Sequence, residues 1–160
     1  MKNFFLFLTF LIFTTSLQAA PVQDNPAFLV TLLDGKKFDL QEKLGKVVII
    51  NFWAVWCIDC RKEIPLLEEL YKEHHAQGLE IIGVSIDKKS DQQKVLNIAA
   101  TLPYPNAMFY DATKNDFKKP QAIPLNYVID KKGNVIAALS GDGKELSKKD
   151  FEDVIKPLLK

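Results

Sequence analysis

From Lys46 to Trp56 the chain reads KVVIINFWAVW, a β-branched and almost unbroken apolar run, and its two cysteines follow at Cys57 and Cys60. A run of this length fits a central strand buried on both faces, which requires neighbouring strands at each edge and apolar cover above and below. The flanking sequence supplies candidates. AFLVTLLDGKKFDL, Ala27 to Leu40, predicts a strand, a turn at Asp34-Gly35 and a short returning strand. After Cys57 the period changes: Ile64, Leu67, Leu70, Tyr71 and His74 fall on one face of a helix that ends before Gly78.

LEIIGVSID, Leu79 to Asp87, predicts a second buried strand. Ser90, with Gln93 three residues on, predicts a capped helix start. NAMFYD, from Asn106, predicts a short extended piece. PLNYVIDKKGNVIAALS, Pro124 to Ser140, predicts a hairpin turning through Lys131 to Asn134. A last helix is predicted from Ser147, with Phe151, Val154, Ile155, Leu158 and Leu159 on one face and Pro157 bending its end. The alternation predicts an α/β layer structure, one sheet with helices on both faces.

The two cysteines admit three readings: staple, metal ligands or redox pair. A disulfide across two intervening residues closes too small a loop to restrict the unfolded chain much, which weakens the staple. Zinc takes four ligands. The chain has no second CxxC, and its histidines, His74 and His75, are expected to be solvated near the end of the same helix. The redox reading needs only what is present. Cys57 falls where a strand gives way to a helix, so unpaired backbone N–H groups and the helix dipole favour its thiolate. Cys57 is the expected nucleophile and Cys60 the resolving thiol, with Trp56 shielding one side of the pair.

Residues 1–19 form a predicted signal peptide: Lys2, an apolar core from Phe4 to Phe13, then small residues up to a cut after Ala19. Its apolar run is shorter than the roughly 20 residues that span a bilayer. The rest, 20–160, is read as one domain, exported to a periplasm-like compartment where disulfides persist. The chain's 160 residues are 48% hydrophobic, enough for a core of its own. Its 21 basic residues become 20 without Lys2, against 20 acidic ones. A formally neutral domain gives no case for a nucleic-acid partner, and a monomer is expected.

VVIINFWAVWCIDCRKEIPLLEEL, with Pro65 five residues past the second cysteine, resembles thioredoxin-like proteins, and more narrowly the exported TlpA/ResA-type thiol–disulfide oxidoreductases. GVSID and IPLNYVIDKKGNV extend the resemblance, which runs from about Phe28 to the C-terminus. It implies a thioredoxin-like fold, a central mixed sheet with an N-terminal β-hairpin extension. It also implies a cis Ile123–Pro124 bond, with Ile123 and Pro124 beside the disulfide where an extended substrate segment pairs. Asn51 stands where thioredoxin has a buried Asp, so the proton acceptor for Cys60 is sought at Asp87 or in solvent. Leu125-Asn126 replaces the usual Thr-Thr after the proline, which alters the substrate groove.

Asp59 between the cysteines and Glu63 one turn beyond Cys60 place negative charge near the thiolate. That disfavours it and pushes the pair toward reductant behaviour. No Gly-rich dinucleotide motif is present, so no cofactor is expected and the pair must be recharged by another protein. The resemblance implies an inner-membrane thiol donor and protein disulfide clients, apocytochrome c foremost. The competing readings are a disulfide oxidase and a Cu(I)-binding thiol chaperone, although Met108 is the only methionine after the leader. A peroxidase would want a lone peroxidatic cysteine with Thr and Arg nearby, which WCxxC does not supply.

Overall fold

A computed structural model of the chain describes residues 24–141 and 145–160. The leader expected at 1–19 lies outside the described residues.

The apolar run before the cysteines forms β3, Val47–Trp53, with all seven residues buried. β1 (Phe28–Leu32) and β2 (Lys37–Asp39) make the N-terminal hairpin. α1 (Ile58–His74) follows β3. Then come β4 (Leu79–Ser85), α2 (Gln92–Ala99), β5 (Asn106–Asn115), β6 (Leu125–Ile129), β7 (Val135–Ser140) and α3 (Lys148–Leu159).

The strands form one mixed sheet in the order β2-β1-β5-β4-β3-β6-β7. β3, β4 and β5 run parallel at its centre, and antiparallel pairs close both sides. Parallel neighbours need cover, and alternation along β3 assigns it. Val47 and Ile49 pack with Leu67 and Leu70 of α1 and with Phe151 and Ile155 of α3. Val48, Ile50 and Phe52 point the other way, into a cluster with Phe28, Val30, Phe117 and Leu40, the last from a 3-10 turn at Leu40–Lys43. α2 contributes Val95 and Ile98 to a third cluster with Trp53, Met108 and both cysteines.

Three local expectations are corrected. Ser90 does not cap α2: Lys89–Asp91 is a 3-10 turn, and α2 starts after Asp91 without a side-chain cap. The piece at Asn106 is a strand of ten residues, not a short one, because it pairs with both β4 and β1. His74 is buried, 6% exposed, because it continues the apolar face of α1. The helix at Ser147 carries a complete capping box with Asp150 and runs through Pro157 to Leu159.

Candidate active site

Beyond Trp53 the chain leaves β3 and turns through 54–56 into α1. Asp87, just past β4, holds this turn: its Oδ2 accepts from the Val55 N–H at 2.9 Å and from Ser85 Oγ at 2.8 Å. Ser85 Oγ in turn accepts from the Asp87 N–H. Asp87 thus anchors the loop that leads into α1, and its side-chain hydrogen bonds among the described residues go to Val55 and Ser85.

Cys57 is the N-cap of α1, in extended conformation, with the Cys60 N–H donating to its Sγ at 3.1 Å. The two cysteines form a disulfide, Cα to Cα 5.3 Å. Both are buried, Cys57 7% and Cys60 2% exposed, so an attacking group reaches Cys57 more readily. The sequence around them leaves two large apolar side chains in water, Trp56 at 66% and Ile58 at 63% exposed. Trp56, directly before Cys57 in the chain, keeps most of its surface open to solvent.

The Ile123–Pro124 peptide bond is cis. It brings the Ile123 carbonyl oxygen to 3.8 Å from Cys57 Sγ. A cleft of about 400 Å³ opens beside it, lined by Asp59, Glu63, Ile123, Pro124, Ser140 and Leu146. Its lining joins the proline loop to the helix that carries the cysteines.

Under the pair lies a buried polar cluster. β3 and β6 bring Asn51 opposite Asn126, and α1 lowers Glu63 between them. Asn51 Nδ2 donates to Glu63 Oε1 at 3.1 Å and to Asn126 Oδ1 at 2.9 Å; Asn126 Nδ2 donates to the same Glu63 oxygen at 3.0 Å. Burial pushes the Glu63 carboxyl up to about 7, with the amide hydrogen bond from Asn126 working against the rise. Glu63 is three residues past Cys60, so the two side chains share a helix face with Cβ atoms about 5–6 Å apart. A carboxyl poised near neutrality at that distance can take the proton of a thiol.

Asp59 behaves differently. Its side chain is 75% exposed and forms a 3.0 Å ion pair with Lys62, so water and the ammonium screen its charge from the sulfur atoms. The resemblance assigns Asn126 to the groove and gives no sign of its place beside Glu63. Its signal was in the strand alternation, which puts a polar residue on the same inward face as Val128.

The chain is similar to known proteins along most of its length. Residues 21–152 match the AhpC/TSA family. The chain belongs to that family. It is 36% identical over 138 residues to the thiol-disulfide oxidoreductase ResA of Bacillus thuringiensis subsp. konkukian, covering 85% of this chain and 77% of the relative. Among solved structures, a thiol:disulfide interchange protein of the thioredoxin family from Chlorobium tepidum superposes with a TM-score of 0.70 at 27% identity, over 89% of this chain and all of that one. A secreted thiol-disulfide isomerase from Corynebacterium glutamicum gives a TM-score of 0.69 at 28% identity, over 86% of each chain. With its CxxC pair on a thioredoxin-like fold, the chain is a ResA-like thiol–disulfide oxidoreductase.

Proposed function

We propose that this chain is an exported reductase of protein disulfides, working by a Cys57–Cys60 dithiol/disulfide cycle. The observation that carries the direction is Glu63, a buried carboxylate one helical turn from Cys60. When ionised it repels a thiolate, which destabilises the reduced form and makes the couple a better electron donor.

In the cycle, the Cys57 thiolate attacks one sulfur of a client disulfide, and the other client sulfur leaves as a thiolate. Glu63 takes the Cys60 proton. The Cys60 thiolate then attacks Cys57 Sγ, which forms the intramolecular disulfide and expels the client's second sulfur. The client gains two electrons and the chain loses two. The client segment lies extended along the Ile123 backbone, its apolar side chains against Trp56 and Ile58.

An inner-membrane thiol carrier returns the electrons, and apocytochrome c is the client that best fits a reductase in an oxidising compartment. The predicted leader and the absence of a dinucleotide motif support that placement. A redox titration against glutathione buffers tests the direction. The expected potential lies below about −200 mV, and a value near about −120 mV would make the chain an oxidase.

A further inference from the structure

We propose that Glu73, His74 and Glu152 form a divalent-metal site that joins the far end of α1 to α3. Histidine at position 74 continues the apolar stripe of α1 and is drawn inward; its side chain is only 8% exposed. Its Nδ1 lies 3.3 Å from Gln77 Oε1. Gln77 Nε2 donates to the Glu73 carbonyl at 3.4 Å, which fixes the amide so that its oxygen faces the ring. Nδ1 therefore carries the hydrogen in the neutral ring, and Nε2 presents a lone pair.

Among the described residues, that Nε2 has no hydrogen-bond partner. It faces Glu152 Oε1 at 3.7 Å and Glu73 Oε2 at 3.8 Å. The three ligand atoms all lie within 4.8 Å of one another. The repulsion among these converging lone pairs is relieved by a proton on Nε2, which pairs with both carboxylates, or by a metal ion held between the three atoms. Two ligands on a tetrahedral zinc ion are separated by about 3.4 Å, so only small side-chain movements are needed.

Lysines use the outer oxygens and leave the inner ones. Lys148 binds Glu73 Oε1 at 2.7 Å and Lys156 binds Glu152 Oε2 at 2.8 Å. Lys148 also stands 4.0 Å from the inward Glu152 Oε1 and 2.6 Å from Glu69, which lowers affinity without filling the site. The ion pairs here join three carboxylates, Glu69, Glu73 and Glu152, to two ammoniums, so negative charge remains.

One imidazole nitrogen and two carboxylate oxygens suit a borderline ion such as Zn²⁺, with water completing its shell. The Gln77 acceptor on the other ring nitrogen is the support that metal-binding histidines commonly have. The site lies about 25 Å along α1 from Cys57, so it anchors the helix and takes no part in the exchange.

The test uses the untagged, fully oxidised protein, in which both thiols are locked in the disulfide and cannot bind metal. Isothermal titration with Zn²⁺ should show one ion per chain. His74→Gln and Glu152→Gln should each weaken binding by roughly tenfold or more, while His75→Gln leaves it unchanged. In the wild type, Zn²⁺ should shift the ¹⁵N resonance of His74 Nε2, a readout that holds even if His74→Gln fails to fold. Binding confined to the reduced protein, binding lost with His75→Gln, or an unmoved His74 resonance would each overturn the site.

Discussion

Glu63 and Asp59 are both acidic and both within one turn of the redox pair, yet their surroundings give them opposite weights. Sequence spacing offered them equally as charges that oppose a thiolate. Burial separates them: Glu63 sits among amides with its carboxyl pushed up to about 7, and Asp59 faces water against Lys62. One pKa unit is about 1.4 kcal/mol, or about 30 mV in a two-electron couple when it falls wholly on the reduced form. Glu63→Gln should therefore raise the potential by tens of millivolts and lower the Cys57 pKa, while Asp59→Asn should move either very little. Titration against glutathione buffers reads the first and thiolate absorbance the second. A larger response from Asp59→Asn would return the effect to the surface charge. Spacing shows that a carboxylate is near the pair; which one is buried is set by tertiary packing, which brings Asn126 to Glu63 from 63 residues away.

At the scale of elements, the parts that build the site were legible because each has a strong local pattern. The seven-residue buried strand, the helix opening on Cys57 and the hairpin after Pro124 follow from periodicity and turn residues. The losses have local causes as well. Ser90 and Gln93 match a capping-box spacing, but a 3-10 turn consumes that stretch; Ser147 and Asp150 form the real box. The far half of β5 was not legible because it is polar and its pairing with β1 slips register twice, which destroys the alternation. Three elements carry predictions. Because Cys57 caps α1 and Cys60 lies deeper, alkylation of the reduced protein at mildly acidic pH should label Cys57 first; equal rates would remove the helix start as its activator. Pro124→Thr restores a backbone N–H, and adds a branched side chain, in the loop that lines the cleft beside Cys57. It should lengthen mixed-disulfide lifetimes in insulin reduction, and parent rates with no trapped complex would count against the groove. Ser147→Ala should cost about 1 kcal/mol in urea unfolding by removing the α3 cap.

For the whole molecule, the layer type was legible and the strand order was not. β1 is first in the chain yet lies beside β5, and nothing local in either strand announces a partner some 80 residues distant. The same long-range assembly buries Glu63, and this has a consequence for global stability. Its carboxyl sits near 7 in the folded chain against an ordinary 4.5. Between those values the folded state binds more protons than the unfolded one, so stability falls as pH rises from about 4.5 to about 7 and levels off above. The shift sets a ceiling of about 3 kcal/mol, reduced in practice by relaxation around the buried charge. Exposed carboxylates held low by lysines, Glu73 and Asp91 among them, act in the opposite sense at more acidic pH. Comparing variants at the same two pH values cancels their part. Urea unfolding of the oxidised protein at pH 5 and pH 8 should show the wild type losing stability relative to Glu63→Gln as pH rises. Equal pH dependence in the two proteins would mean that Glu63 is ionised without penalty, and its role as the proton acceptor near neutral pH would lose its physical basis.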